Sequence, residues 1–404
     1  MTIGRVQTVV VVGYLILIQA TGAIAGFWLP AIAPEVGLGL GVDPILIGYQ
    51  VLIQYIFAML ASLMAGGCVR RLGAWRASQL ALALFAASHA LFLTGSITMI
   101  VLGSVLLGCG YGLVTPAASH LLNKIVTPRN RNLVFSIRFT GVPLGGITAG
   151  LAAPATALYL GWQQSVLVVV AISLLLVLAM QPLRARWDDD RSASARIFQS
   201  PVSDIKLVWS LAPLKWIAFF GLCMGAVQTT LTTYTVTMLV EDLGYTLIAA
   251  GVGLSMIQFA SVFGRVAWGW LADKIGGGLA VSGLVALIAS ICAGITCLLS
   301  PAWPTGLVYA LCFAFGLVGM GWNGVYASEI ARLAPAGKVS GATGAAMFIT
   351  FSGVFLGPVL FVAIHGWSGH YTTTFALTAA IALTGLFCVT RAVAGARAIA
   401  AIGR

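Results

Sequence analysis

Charge is what this sequence is short of. Only 8% of its 404 residues are charged, and acidic side chains number 10 against 21 lysines and arginines. Globular chains carry about 25% charged residues, so a soluble enzyme is excluded. Cysteines are few and scattered: 68, 109, 223, 292, 297, 312 and 388, an odd number with no CxxC and no Cys/His cluster. That spacing supports neither a disulfide scaffold nor a metal centre, and no paired carboxylates or activated nucleophile suggest an enzyme. No cofactor is expected. Polar linkers are scarce too, the one long polar stretch being Arg184–Lys206 near the middle. What is abundant is apolar sequence, 60% of the chain. A membrane-crossing helix consumes about 20 residues, so the chain holds about a dozen.

Apolar runs bounded by Gly, Pro or charge predict twelve transmembrane helices over 8–33, 45–69, 75–95, 97–123, 131–158, 161–182, 214–239, 246–271, 279–299, 303–329, 339–365 and 371–392. Alternating barrel strands are absent, so the fold class is an all-α membrane protein. The polar stretch divides six spans from six, giving an N-terminal bundle over 1–183, a cytoplasmic linker over 184–213 and a C-terminal bundle over 214–404. The first run continues through Trp28 and Pro30, longer than the core of a cleaved signal, so it is expected to stay. Trp28, Trp162 and Trp367 near span ends are expected to anchor at the membrane interface.

Sorting the basic residues gives an orientation. With the N-terminus inside, 19 of the 21 lysines and arginines fall on one side, from Arg5, Arg70 and Arg71 through Arg184–Lys215 to Arg397 and Arg404. The positive-inside rule makes that side the cytoplasm and puts both termini there, in a bacterial-type inner membrane. The net charge of +11 is then a one-sided coat rather than a nucleic-acid surface. The remaining two, Arg138 and Arg265, lie inside spans 5 and 8, whereas every acidic residue falls towards a span end.

The two halves repeat a pattern. Gly66-Gly67-Cys68-Val69-Arg70-Arg71-Leu72-Gly73 after span 2 matches Gly269-Trp270-Leu271-Ala272-Asp273-Lys274-Ile275-Gly276 after span 8, 203 positions later. Parallel six-span repeats are how many secondary transporters frame a midplane site between two rocking halves. On these residues the sequence resembles the major facilitator superfamily along nearly its whole length. The resemblance implies a gating role for Gly269, Asp273 and Lys274, and for Arg70, Arg71 and Gly73 in the first half. There Arg70 stands where the family has Asp, which leaves Arg70 and Arg71 in need of another partner. Gly141-Val142-Pro143-Leu144-Gly145-Gly146 is similar to the family's span 5 motif, and Ser104 occupies the place of its span 4 arginine.

Gly264-Arg265-Val266-Ala267-Trp268-Gly269, followed by Asp273-Lys274, is similar to span 8 of monocarboxylate porters and oxalate/formate antiporters. That likeness implies that Arg265 meets the anionic group of the substrate. A guanidinium stays charged and can grip a carboxylate with two parallel hydrogen bonds. Two intramembrane arginines without a neighbouring carboxylate favour an anionic cargo. Family placement of the spans adds Tyr14, Gln19, Gln54, Gln228, Thr229, Gln258 and Asn323 as candidate substrate-binding residues. His89 and His120 are candidate proton-coupling groups. The function expected is transport of a small organic anion, a mono- or dicarboxylate, by alternating access, as proton symport or exchange for a counter-anion. Multidrug or neutral-metabolite efflux by the same fold is the alternative. The expected partners are the anionic substrate, protons or a counter-anion and the lipid bilayer, with the protein itself a monomer.

Overall fold

The computed structural model describes residues 5–42, 47–192, 194–195 and 201–402; Asp43, Arg196 and Arg404 of the charge sorting lie outside them. The described residues form helices and connecting turns. They are α1 (Arg5–Ala31), α2 (Ala33–Leu40), α3 (Ile47–Leu72), α4 (Ala74–Phe92), α5 (Ile97–Ile125), α6 (Arg131–Phe139), α7 (Gly141–Leu160), α8 (Trp162–Ser165) and α9 (Leu167–Met180). Two linker helices follow, α10 (Arg184–Trp187) and α11 (Pro201–Ser210). The series continues with α12 (Ala212–Glu241), α13 (Leu247–Ile275), α14 (Gly278–Thr296), α15 (Thr305–Gly319), α16 (Asn323–Leu333), α17 (Val339–Ser368) and α18 (Tyr371–Ile402).

Eleven of these helices, counting α6–α7, α8–α10 and α15–α16 as single runs, are long and apolar enough to cross a membrane. The twelfth expected span is α4, whose Arg76, Ser78, Gln79, Ser88 and His89 dilute its apolar content. It packs against α5 and α9, where Gln79 Nε2 donates to the Val177 carbonyl of α9 at 2.9 Å. Outer faces are apolar: Leu158, Tyr159, Ile248 and Trp367 are largely exposed, the inverse of a soluble surface. Trp28 departs from its expected interface position. It is wholly buried, its indole donating to Ser165 Oγ at 3.2 Å, because a helix end covered by α8 offers a polar partner inside.

Two compact units result. Unit 1 comprises residues 1–126, 138–205 and 334–348; unit 2 comprises 127–137, 206–333 and 349–404. In unit 1, α3 lies along α5, α4 against α5 and α9, and α1 along α7. In unit 2, α13 lies along α15 and α18 against α12 and α14. The pairing α3 with α5 thus recurs as α13 with α15, and α4 with α9 as α14 with α18. The repeat reaches the backbone: Gly73 and Gly276 both take positive φ, +92° and +68°, at the turn after the repeated pattern. A side chain there would be strained, which is why both copies keep glycine.

Candidate substrate site and gating contacts

In unit 1 the break between α6 and α7 places Arg138. Pro143 has no N–H to return to the Phe139 carbonyl, so the helix interrupts at Thr140. Beyond it, Gly141 and Gly145 bring α7 onto α1, since a Cβ at Gly145 would meet Ala20 O at 2.3 Å. Arg138 is wholly buried. Its Nη2 donates to Gln19 Oε1 at 2.5 Å, with Val114 O at 3.4 Å and Thr115 Oγ1 at 3.5 Å. The guanidinium lies 4.5 Å from the centre of the Phe139 ring. All these partners are neutral. Nε and Nη1 have no hydrogen-bond partner among the described residues. A buried, permanently charged group with two donors unspent is expensive unless an anion completes it.

The other candidates in unit 1 fall in different places. Gln54 is buried on α3, accepts from Gln50 Nε2 at 3.4 Å, and abuts Gly26. It lines a void of about 10 Å³ with Gly22, Tyr55 and Tyr111, barely the space of one water. Tyr14 points elsewhere: its hydroxyl donates to Ala179 O at 3.1 Å and its ring sits edge-on to Trp75. His89 is buried, with Nδ1 3.0 Å from Phe85 O. His120, near the end of α5, contacts Asp190 Oδ2 at 2.7 Å. The structure therefore brings Gln19 to Arg138, while Tyr14 and His120 serve other contacts.

In unit 2, Arg265 is buried on α13, donating through Nη1 to Ser261 Oγ at 2.8 Å and Ser261 O at 3.2 Å. Gln258 stands about two turns earlier on the same helix, and its buried Oε1 has no partner among the described residues. Beside Arg265, Gly264 meets Leu317 of α15, where a Cβ would fall 2.2 Å from the carbonyl oxygen. The run from α15 to α16 is broken at Met320–Trp322, and Trp268 Nε1 takes up the Leu317 carbonyl at 2.8 Å. Interrupted helices at such depth are found where backbone lines protein or a cavity. At this break Trp322 Nε1 and Asn323 Nδ2 both donate to Gln228 Oε1, at 3.1 and 3.4 Å. Asn323 Oδ1 has no partner among the described residues. Thr229 is occupied by packing instead, donating to Gly225 O and Val354 O.

The repeated glycine pattern frames two further clusters. In unit 2, Asp273 accepts from Asn132 N at 3.0 Å, Asn132 Nδ2 at 2.9 Å and Leu133 N at 2.8 Å. The carboxylate thus caps the positive end of α6. Gly269 lets the helices meet, since its Cβ would strike Ser136. Lys274 lies over the Trp270 ring at 4.8 Å. In unit 1, Arg70 occupies the position of that aspartate and Arg71 that of the lysine. A carboxylate comes from the linker instead: Asp204 lies 4.0 Å from Arg70 Nη2. It also packs beside Gly66 and Gly341, the latter in the first turn of α17. Arg71 Nη1 donates to Ala195 O at 3.1 Å.

A second linker aspartate, Asp188, accepts from Trp75 N at 2.8 Å and Arg76 N at 3.2 Å, capping α4 beside Gly73. Burial pushes its carboxyl above the usual range, against those two hydrogen bonds. Next to it, Lys124 bridges Asp189 at 2.9 Å and Asp190 at 2.8 Å. The Lys124 hydrogen bond holds Asp189 below the usual carboxylate range. Asp190 is also lowered, burial being outweighed by Lys124 and His120 together. In the sequence, Asp188 and Asp204 are simply acidic residues of the linker stretch. Only their acidity in an otherwise basic stretch could have drawn notice.

Twelve spans in two repeated sets of six, with polar groups buried at helix breaks, are the framework of a membrane transporter. The family model described as Major Facilitator Superfamily matches residues 15–358, and the chain belongs to that superfamily. Among curated relatives, monocarboxylate transporter 13 of Bos taurus is 26% identical over 288 residues, 70% of this chain and 64% of the relative. An uncharacterized MFS-type transporter of Mycobacterium tuberculosis is 26% identical over 299 residues, 69% of this chain and 60% of the relative. The chain thus spans less than two thirds of the length of these relatives. In fold, it is similar to the transporter FucP in its outward conformation, at TM-score 0.79 and 16% identity, over 95% of this chain and 98% of that one. The human organic anion transporter MFSD10 gives TM-score 0.74 at 16% identity, over 95% and 99%.

Proposed function

We propose that the protein carries a small organic anion, a mono- or dicarboxylate, across the bacterial inner membrane by alternating access, with its basic side towards the cytoplasm. The observation that carries this reading is Arg138: a wholly buried guanidinium with only neutral partners and two unspent donors. Arg265, also buried and bonded through Ser261, is the second anion contact. Gln19, Gln258 and Asn323 supply neutral polar contacts, the latter two through unspent buried oxygens able to accept from a hydroxyl or a protonated acid. The likeness of the Arg265 segment to monocarboxylate porters, and a relative named as a monocarboxylate transporter, support the same cargo.

In this reading an anion neutralises the guanidinium it meets, lowering the cost of burying that charge and so favouring the conformational change of alternating access. Asp273 on the α6 terminus, and Asp204 between Arg70 and α17, act as latches that release in each cycle. Proton symport and exchange for a second anion both suit a positive site.

The test is uptake of short mono- and dicarboxylates into proteoliposomes, with and without an imposed pH gradient. Arg138→Gln and Arg265→Gln should each reduce substrate binding by at least about tenfold, the scale of a lost charged hydrogen bond. Undiminished binding and flux in both variants would overturn the reading. Gradient dependence would assign symport, and wild-type flux of uncharged hydrophobes alone would assign the efflux alternative.

A further inference from the structure

Away from the candidate substrate site, unit 2 contains a cavity of about 600 Å³ bounded by the start of α6, the turn from α13 to α14, α16 and the end of α18. Arg131, Arg332 and Arg397 line it, with Glu329 as the single acidic group. The Glu329 carboxylate is buried and already engaged, accepting from Arg332 Nη2 at 2.6 Å and Nε at 3.0 Å. It also lies against Gly278, at the first turn of α14. Glu329 and Asp273 both act on the charge of Arg131, so three arginines face two carboxylates. The lining therefore keeps an excess of positive charge.

This cavity continues into an apolar groove of about 460 Å³ between α14 and α18. Leu279, Ala280, Val393 and Arg397 border both. The groove follows α14 from Leu279 to Leu287, about 12 Å at 1.5 Å per residue. Its walls on α18 are Leu386 and Val389. Leu284 and Leu287 are each about 40% exposed on this outer face, towards the lipid rather than the protein interior.

A cationic chamber that opens onto an apolar groove matches one kind of occupant. A small soluble anion would leave the groove unused, and a zwitterionic lipid would leave the charge excess unmatched. We propose that unit 2 binds an anionic phospholipid, its phosphate among Arg131, Arg332 and Arg397 and an acyl chain along α14 and α18. Basic pockets between transmembrane helices hold anionic headgroups elsewhere by the same physics. Arg131 belongs to the segment 127–137 that carries the amides bound by Asp273. Occupancy therefore ties that segment to the rest of unit 2 and strengthens the Asp273 contact.

The experiment is thermal unfolding of the full chain in mixed micelles titrated with phosphatidylglycerol, phosphatidylcholine or water-soluble glycerol phosphate. Phosphatidylglycerol should raise the melting temperature saturably, and the other two should not. Arg131→Gln and Arg397→Gln should each weaken the apparent phosphatidylglycerol affinity about fivefold, the equivalent of ~1 kcal/mol per basic residue. Arg397 is exposed near the end of α18, so Arg397→Gln serves alone where the other variant does not fold. Gly283→Leu, at a position with room for a Cβ, should fill the groove and cause a comparable loss. Equal stabilisation by phosphatidylcholine, full stabilisation by glycerol phosphate, or wild-type titration of all the variants would overturn the proposal.

Discussion

Replacing Asp273 by asparagine isolates the charge of the carboxylate on the α6 terminus while keeping its shape. The wild-type carboxylate receives three hydrogen bonds at 2.8–3.0 Å from the first turn of α6. An asparagine keeps one acceptor oxygen and loses both the second oxygen and the charge facing the helix dipole. A partly buried charge at a helix terminus contributes up to ~2 kcal/mol, and an N-cap side chain about 1 kcal/mol. Because Asp273 is only half-buried and Asn retains part of the cap, the net loss should be about 1–2 kcal/mol, a factor of about 5–30 in the docked population of α6. Hydrogen–deuterium exchange reads this directly, since the Asn132 and Leu133 amides are the donors. Their exchange should accelerate by that factor in Asp273→Asn, with the amides of α7 and α12 unchanged. Unchanged exchange at Asn132 and Leu133 would refute the cap. A uniform acceleration along the chain would refute its local character.

Other perturbations test neighbouring parts of the structure. Gly66→Ala would put a Cβ 2.7 Å from Gly341 Cα, and Gly269→Ala one 2.6 Å from Ser136 Cβ. Each should cost about 1–3 kcal/mol, measured as a lower unfolding midpoint, because backbone or a short side chain must move. A double-mutant cycle of Arg70→Gln and Asp204→Asn should return a coupling below about 1 kcal/mol, since the pair is 4.0 Å apart and Arg70 is partly exposed. Acid titration should separate the linker carboxylates. Asp189 and Asp190 have lowered folded-state pKa values, so their stabilisation is present above the unfolded carboxylate pKa of about 4 and is lost as pH falls through the lower folded values. Lys124→Met should flatten that acid limb in melting temperature against pH. Asp188, raised by burial, works with the opposite sign, and its contribution weakens as pH rises through the folded value.

Much of the architecture was legible because a bilayer leaves the backbone few options. Twelve apolar runs foretold the helix order to within a few residues at most ends, and the 203-residue repeat foretold the paired glycine turns at Gly73 and Gly276. Burial of Arg138 and Arg265 followed from their depth in the runs. Side-chain direction did not follow. Tyr14 and Gln19 are five residues apart on α1, yet one reaches the α9 backbone and the other Arg138. A helical run with apolar residues all round carries little amphipathic signal to say which face meets which neighbour. The same lack put Trp28 at an interface when it fills the interior. Long-range capping was equally hidden, Asp188 lying 113 residues from the Trp75 amide it accepts.

The altered first-half motif shows how a symmetric fold absorbs an asymmetric sequence. The physical requirement at each glycine-lined crossing is a negative charge beside a helix N-terminus, where backbone donors are unspent. In unit 2 that charge belongs to the α13 end, so Asp273 moves with the helix that carries it. In unit 1 the corresponding residue is Arg70, which by itself would repel the start of α17. The polarity is restored by Asp204, which sits between Arg70 and Gly341 but is attached to α11. Arg70 thereby changes from a replacement of the carboxylate to its anchor, holding Asp204 where the motif residue would be. It follows that the linker is part of the unit 1 contact with the start of α17, whereas the unit 2 contact on α6 needs no linker residue. Severing or lengthening the chain between Arg191 and Asp204 should therefore loosen the α17 contact and leave the Asp273 contact on α6 intact.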